Sequence, residues 1–251
     1  MVGALVLGKS FPYVLGGTDW GKHPDSIIKA TSILAIVGGL LIWLLVPNGP
    51  FRKPSTALQL KAGPQLFKIQ GFRKAAFGYF GHMWELYAFW AFTPLAVQTF
   101  NEIHAKQLSV PLWTGIIIAL GGLSCMLGGI ASQRYGSRKV AITALFISGS
   151  FCIVSPLLFQ TTTYVFLFGW CLWGMAVTAD SPQFSGLVAG AVPRELRGTG
   201  LTLVNCIGFA ISIVSIQSLA FLSNHLEIWF LFIILAIGPI LGLLQLIKKS
   251  H

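Results

Sequence analysis

The chain has 251 residues, 55% of them hydrophobic and only 10% charged, with a mean hydropathy of +0.76 and a net charge of +10. Soluble domains carry about 25% charged residues, so this composition excludes an ordinary soluble protein and points to a membrane protein. The positive charge does not indicate nucleic acid, because the basic residues cluster in short segments between apolar runs.

Eight apolar runs follow one another, at about 2–16, 27–46, 75–97, 112–131, 140–159, 164–177 (extending toward 192), 201–222 and 228–247. Most approach the ~20 residues that a helix needs to cross a bilayer. The pattern predicts an all-α polytopic membrane protein with about eight transmembrane helices. The first run is short and begins at Met1, which reads as a truncated helix. It has no basic start and is interrupted by Lys9 and Pro12, so it is not read as a signal peptide. Cys125, Cys152, Cys171 and Cys206 all lie inside apolar runs with no C-x-x-C spacing. They read as packing residues, and neither a metal nor a disulfide is implied.

Loop charges set an orientation. With the 47–74 loop placed in the cytoplasm, alternation puts 133–139, 193–197 and the C-terminus on the same side. That side holds Arg52, Lys53, Lys61, Lys68, Arg73, Lys74, Arg134, Arg138, Lys139, Arg194, Arg197, Lys248 and Lys249. The opposite loops hold only Lys22 and Lys106. Thirteen against two is a strong positive-inside asymmetry and predicts both termini in the cytoplasm. The 47–74 segment, rich in Pro, Gly and basic residues, reads as a linker with a short surface helix near 57–70. It separates two helices (1–46) from six (75–251). Glycines within the spans permit close helix approach, and Trp43, Trp113, Tyr164 and Trp229 near run ends fit interfacial anchors.

The third run carries His82 and Glu85 on one helical face. A charge inside a spanning helix costs a few kcal/mol by insertion scales, so it faces a protein interior or a wet cavity. The pair reads as a proton-titrating or substrate-contacting site lining such a cavity, or as a structural hydrogen bond to a neighbouring helix. Asp180 precedes Ser181-Pro182-Gln183, a good N-cap for a restarting helix. A broken helix bearing Asp180 and Gln183 is equally where transporters expose polar backbone to cargo. Lys9 can snorkel, face an anionic substrate, or pair with Glu85 or Asp180. Tyr13 sits beside the kink expected at Pro12. Asn205 reads as an interhelical hydrogen bond more readily than as a ligand, and Trp84, Tyr87 and Trp90 as packing with a lesser claim to the pocket.

Gly129-Ile130-Ala131-Ser132-Gln133-Arg134-Tyr135-Gly136-Ser137-Arg138-Lys139 resembles the G-x-x-x-D-R-x-G-R-R/K loop motif of the major facilitator superfamily of transporters. Gly129, Arg134, Gly136 and Arg138 match, while Gln133 replaces the acidic residue and Ser137 a basic one, so the motif's gating salt bridge lacks its carboxylate here. Three stretches, 81–87, 179–185 and 197–202, resemble a bacterial branch that includes nitrate/nitrite-, cyanate- and sugar-efflux-type permeases. The resemblance implies that the chain runs from the end of helix five to helix twelve, with residues 1–46 from the first bundle and 75–251 the complete second one. It further implies a secondary transporter of a small solute in a bacterial cytoplasmic membrane, working by alternating access, with proton coupling and an anionic solute among its options. Helices missing before residue 1 would be needed for a full site. No cofactor is expected, and no G-x-x-x-x-G-K-[ST] motif supports ATP-driven transport. The rivals are a non-transporting membrane fragment or partner-binding subunit, and an intramembrane enzyme. The last lacks both H-E-x-x-H and G-x-S-x-G.

Overall fold

The computed structural model describes residues 8–18, 23–47 and 60–248, and every regular element among them is helical. In chain order these are α1 (Phe11–Gly16), α2 (Pro24–Leu45), α3 (Gly63–Lys68), α4 (Gln70–His104), α5 (Val110–Tyr135) and α6 (Ser137–Leu158). There follow α7 (Thr163–Ala179), α8 (Ser181–Gly190), α9 (Arg197–Leu222), α10 (Ile228–Leu231) and α11 (Ile237–Ile247). A 3-10 stretch, Phe232–Ala236, joins α10 to α11.

Among the described residues, five segments are long and apolar enough to cross a membrane: Asp25–Leu45, Val110–Tyr135, Ser137–Leu158, Arg194–Leu222 and Ile228–Ile247. The expected count was eight, and the shortfall has physical causes. The first run lies partly outside the described residues. The polar face of α4, which carries His82 and Glu85, dilutes an otherwise long apolar helix. The sixth run stops as α7 after 17 residues, because Pro182 breaks the ladder and α8 restarts. The short helix expected near 57–70 is seen as α3, within the described part of that range. It is no surface element on its inner face, since Leu66 is buried against α4 and α9.

From α4 to α11 the chain runs up and down through one bundle. One end gathers Lys74, which donates to the Lys248 carbonyl, and Arg138, which donates to that of Leu246. At the other end His104 meets the Phe159 carbonyl at 2.8 Å. Aromatic rings fill the interior, with Phe89, Phe100, Phe159, Phe166, Trp170, Trp173 and Phe232 all buried. Outside the bundle, α1 packs on α5 and α2 packs on α1. The apolar side chains of α2 stay exposed, Trp43 at 77% among them.

Between helices in lipid the hydrophobic effect offers little, so close van der Waals contact carries the association. The α4–α11 crossing shows this. Gly78 and Gly81 face Gly238 and Gly242, and a Cβ at Gly81 or at Gly238 would run into the other's carbonyl oxygen. Overfilling a close-packed contact costs about 1–3 kcal/mol. Gly81→Ala is therefore expected to lower the melting temperature in detergent by several degrees. Gly129→Ala, with open space around its Cβ position, is expected to leave it unchanged or raised, since Ala favours helix. Equal behaviour of the two would contradict the packing argument.

Candidate functional site

Glu85 lies near the middle of the 35-residue α4 and is fully buried. Three donors reach its carboxylate. Trp173 Nε1 of α7 donates to Oε1 at 2.7 Å, Cys152 Sγ of α6 to Oε1 at 3.3 Å, and Ser148 Oγ of α6 to Oε2 at 2.8 Å. Ser148 and Cys152 are four apart, so both project from one face of α6 toward the acid. Ser148 Oγ is also 3.2 Å from its own Leu145 carbonyl. With Glu85 ionised, the serine hydroxyl donates to it. With Glu85 protonated, the same hydroxyl can turn to Leu145 and accept the acid's proton, so neither state strands a buried polar atom.

One turn earlier on α4, His82 is 1% exposed and bridges to the α7–α8 joint. Its Nδ1 lies 2.8 Å from Asp180 Oδ1, and its Nε2 lies 2.9 Å from Ser181 Oγ. The first contact is at ion-pair distance but poorly aligned, and neither Asp180 oxygen receives a well-directed hydrogen bond. Asp180 is not the side-chain N-cap that its position before Ser-Pro suggested. Its backbone is helical and its carboxylate makes no capping bond, because it turns into the bundle toward His82. The break itself is repaired elsewhere. Pro182 has no N–H to give the Thr178 carbonyl, and Cys125 Sγ of α5 takes that acceptor at 3.2 Å.

His82, Glu85 and Asp180 are 1%, 0% and 0% exposed, and none of them lines a cavity formed by the described residues alone. They form a buried interior network. Lys9 does not join it. Its ammonium sits over the rings of Tyr87 and Trp90, 4.4 and 3.9 Å from their centroids, and makes no ion pair with Glu85 or Asp180. A cation on two aromatic faces is stabilised by their quadrupoles. At ~3.6 residues per turn Tyr87 and Trp90 project from α4 on the side away from Glu85, so this box and the acid network lie on different faces of one helix. Trp84 donates to the Ile234 carbonyl at 3.3 Å, and Tyr13 packs at the edge of the aromatic core. Gln183 is buried on α8, whereas Asn205 is half-buried on α9 and makes no hydrogen bond among the described residues.

In the loop stretch, Gly136 has φ 84° and ψ 142°, a conformation suited to glycine, and it links α5 tightly to α6. Arg138 binds the last turn of α11, Arg134 lies 5.5 Å from the Tyr135 ring centroid, and Gln133 is exposed. Gly129 faces open space. Sequence reasoning missed Trp173, Ser148, Cys152 and Ser181 as partners of the ionisable groups. Trp173, Ser148 and Cys152 looked like ordinary apolar-helix content, with only the four-residue spacing of Ser148 and Cys152 as a signal, whereas Ser181 was noticed only as part of the helix break. Among the described residues, no three His, Cys, Asp or Glu side chains converge as metal ligands.

Compared with models of known protein families and with curated proteins, the chain matches none.

Hydrogen bonds to a charged group are worth about 1.5–3 kcal/mol, and more is lost when the partner is left buried and unpaired. Trp173→Phe is expected to destabilise the protein by about that amount, read as a fall in melting temperature. In a Glu85→Leu background the same change is expected to cost much less, because the partner is gone. Additive losses would show that Trp173 acts by packing alone.

Proposed function

We propose that the chain is the larger part of a major facilitator-type secondary transporter that moves a small solute by alternating access, with Glu85 as a proton-carrying group and the His82–Asp180 pair as its neighbour. The observation that carries this reading is the Glu85 site. An ionisable residue deep in a spanning helix is a functional group by default, and the donors around this one accommodate both of its protonation states. The helix break at Asp180 and Ser181 adds a point where the bundle can rearrange. Lys9 on its aromatic box favours an anionic solute. In this reading α1 and α2 belong to a first bundle, and further helices of a longer protein would complete the solute site.

If Glu85 cycles between two protonation states, Glu85→Gln should abolish proton-driven uptake in proteoliposomes while solute exchange, which need not move a proton, survives. His82→Gln, which takes the imidazole away from Asp180, should displace the pH profile of uptake. Unchanged proton-driven uptake by Glu85→Gln, normalised to folded protein, would reject the role.

The setting we propose is a bacterial cytoplasmic membrane, with the basic end of the bundle and both termini facing the cytoplasm. Arg138, Lys139, Lys74 and Lys248 at one end support it by the positive-inside rule. Lys61 and Lys106, both exposed, should then be modified from opposite faces of sealed vesicles. Modification of both from one face would overturn the arrangement.

A second reading has one observation in its favour. Ser181 Oγ to His82 Nε2 and His82 Nδ1 to Asp180 reproduce the order of contacts in a serine hydrolase triad. Against it, Ser181 is 5% exposed and lines none of the cavities described here. Covalent labelling of Ser181 by a fluorophosphonate, lost in Ser181→Ala, would favour this reading over transport.

A further inference from the structure

A groove of about 700 Å³ runs along the bundle between α5, α6 and α7, and none of the buried acids lines it. Its residues recur at helical spacing on all three helices. Gly128, Ala131, Ala144 and Ala176 give it a floor of small side chains, and Leu127 and Ile147 stand as exposed apolar walls. One end is different: Tyr135 and Lys139 close it, at the junction of α5 and α6.

We propose that this groove holds one acyl chain of an anionic phospholipid from the surrounding bilayer, with the lipid phosphate against Lys139. Dimensions favour a hydrocarbon chain over a partner helix. From Lys139 to Phe151 along α6 is about 18 Å at ~1.5 Å per residue, close to one leaflet's share of a ~30 Å hydrocarbon core. A 700 Å³ groove of that length has a mean cross-section of about 40 Å², roughly half that of a helix ~10 Å across. Charge favours an anionic headgroup. Arg138 is committed to the Leu246 carbonyl and Arg134 lies on the Tyr135 ring, whereas Lys139 is exposed and has no ion pair among the described residues. This end of the groove is its only charged one and presents a lysine and a phenol for a phosphate to meet. Nothing in this inference depends on transport.

The test is native mass spectrometry of the purified chain with equimolar phosphatidylglycerol and phosphatidylcholine of identical acyl chains. The unmodified protein is expected to retain one phosphatidylglycerol with about five-fold preference, the worth of one lysine near an anionic headgroup. Lys139→Gln should bring the two lipids to parity, and Lys139→Arg should restore the preference. Thr143→Trp, which places a ring in the groove from an exposed position, should reduce retention of both lipids. Lys106→Gln, at the opposite end of the bundle, should change nothing. Equal retention of the two lipids by the unmodified protein, a preference that survives Lys139→Gln, or full retention by Thr143→Trp would each overturn the proposal.

Discussion

A carboxylate in the middle of a bilayer-length helix has to be solvated by the protein itself, and much of the bundle follows from how Glu85 is solvated. Its three donors come from α6 and α7, so the two helices that flank α4 on that side are fixed in rotation as well as distance. Trp173 serves twice, as a donor to Glu85 and as one ring of the aromatic interior beside Phe89, Trp170 and Phe232. The polar site is thus walled by large apolar side chains. Low polarity around it strengthens each hydrogen bond and raises the cost of breaking any one of them.

The same helix is held on its other faces by different means. Toward α11 there is no room for side chains, and glycine meets glycine. Toward α9, Ser215 donates to the Trp84 carbonyl at 2.6 Å. Toward the α7–α8 joint, His82 reaches two consecutive residues, Asp180 and Ser181. One element therefore collects close backbone contact, aromatic packing and a polar network. The least satisfied member is Asp180, whose oxygens have the single oblique contact with His82.

The helices were largely legible in the sequence because hydropathy and length are local properties. The runs at 112–131 and 201–222 lie inside α5 and α9, that at 140–159 overshoots α6 by one residue, and the break after Val177 was marked by Pro182. The position of Glu85 and His82 on one face was legible for the same reason. Their partners were not. Which serine among many, or which tryptophan of eight, meets Glu85 depends on how helices rotate and cross. That depends on small residues distributed over the whole chain. The N-cap reading of Asp180 failed for a related reason: a local capping preference of about 1 kcal/mol competes with a buried imidazole that only the tertiary structure supplies. Lys9 went to aromatic faces rather than to an acid, a choice that spacing alone does not encode.

The length of α4 has a consequence of another kind. Its 35 residues span about 52 Å at ~1.5 Å per residue, more than the ~30 Å hydrocarbon core. Glu85, fifteen residues from the first and nineteen from the last, falls near the middle of that length. Moving one elementary charge through the full field takes about 2.3 kcal/mol per 100 mV. If Glu85 carries protons as proposed, a proton reaching it from either face would traverse about half of the voltage drop, so that uptake would answer to the membrane voltage as well as to the pH on each side.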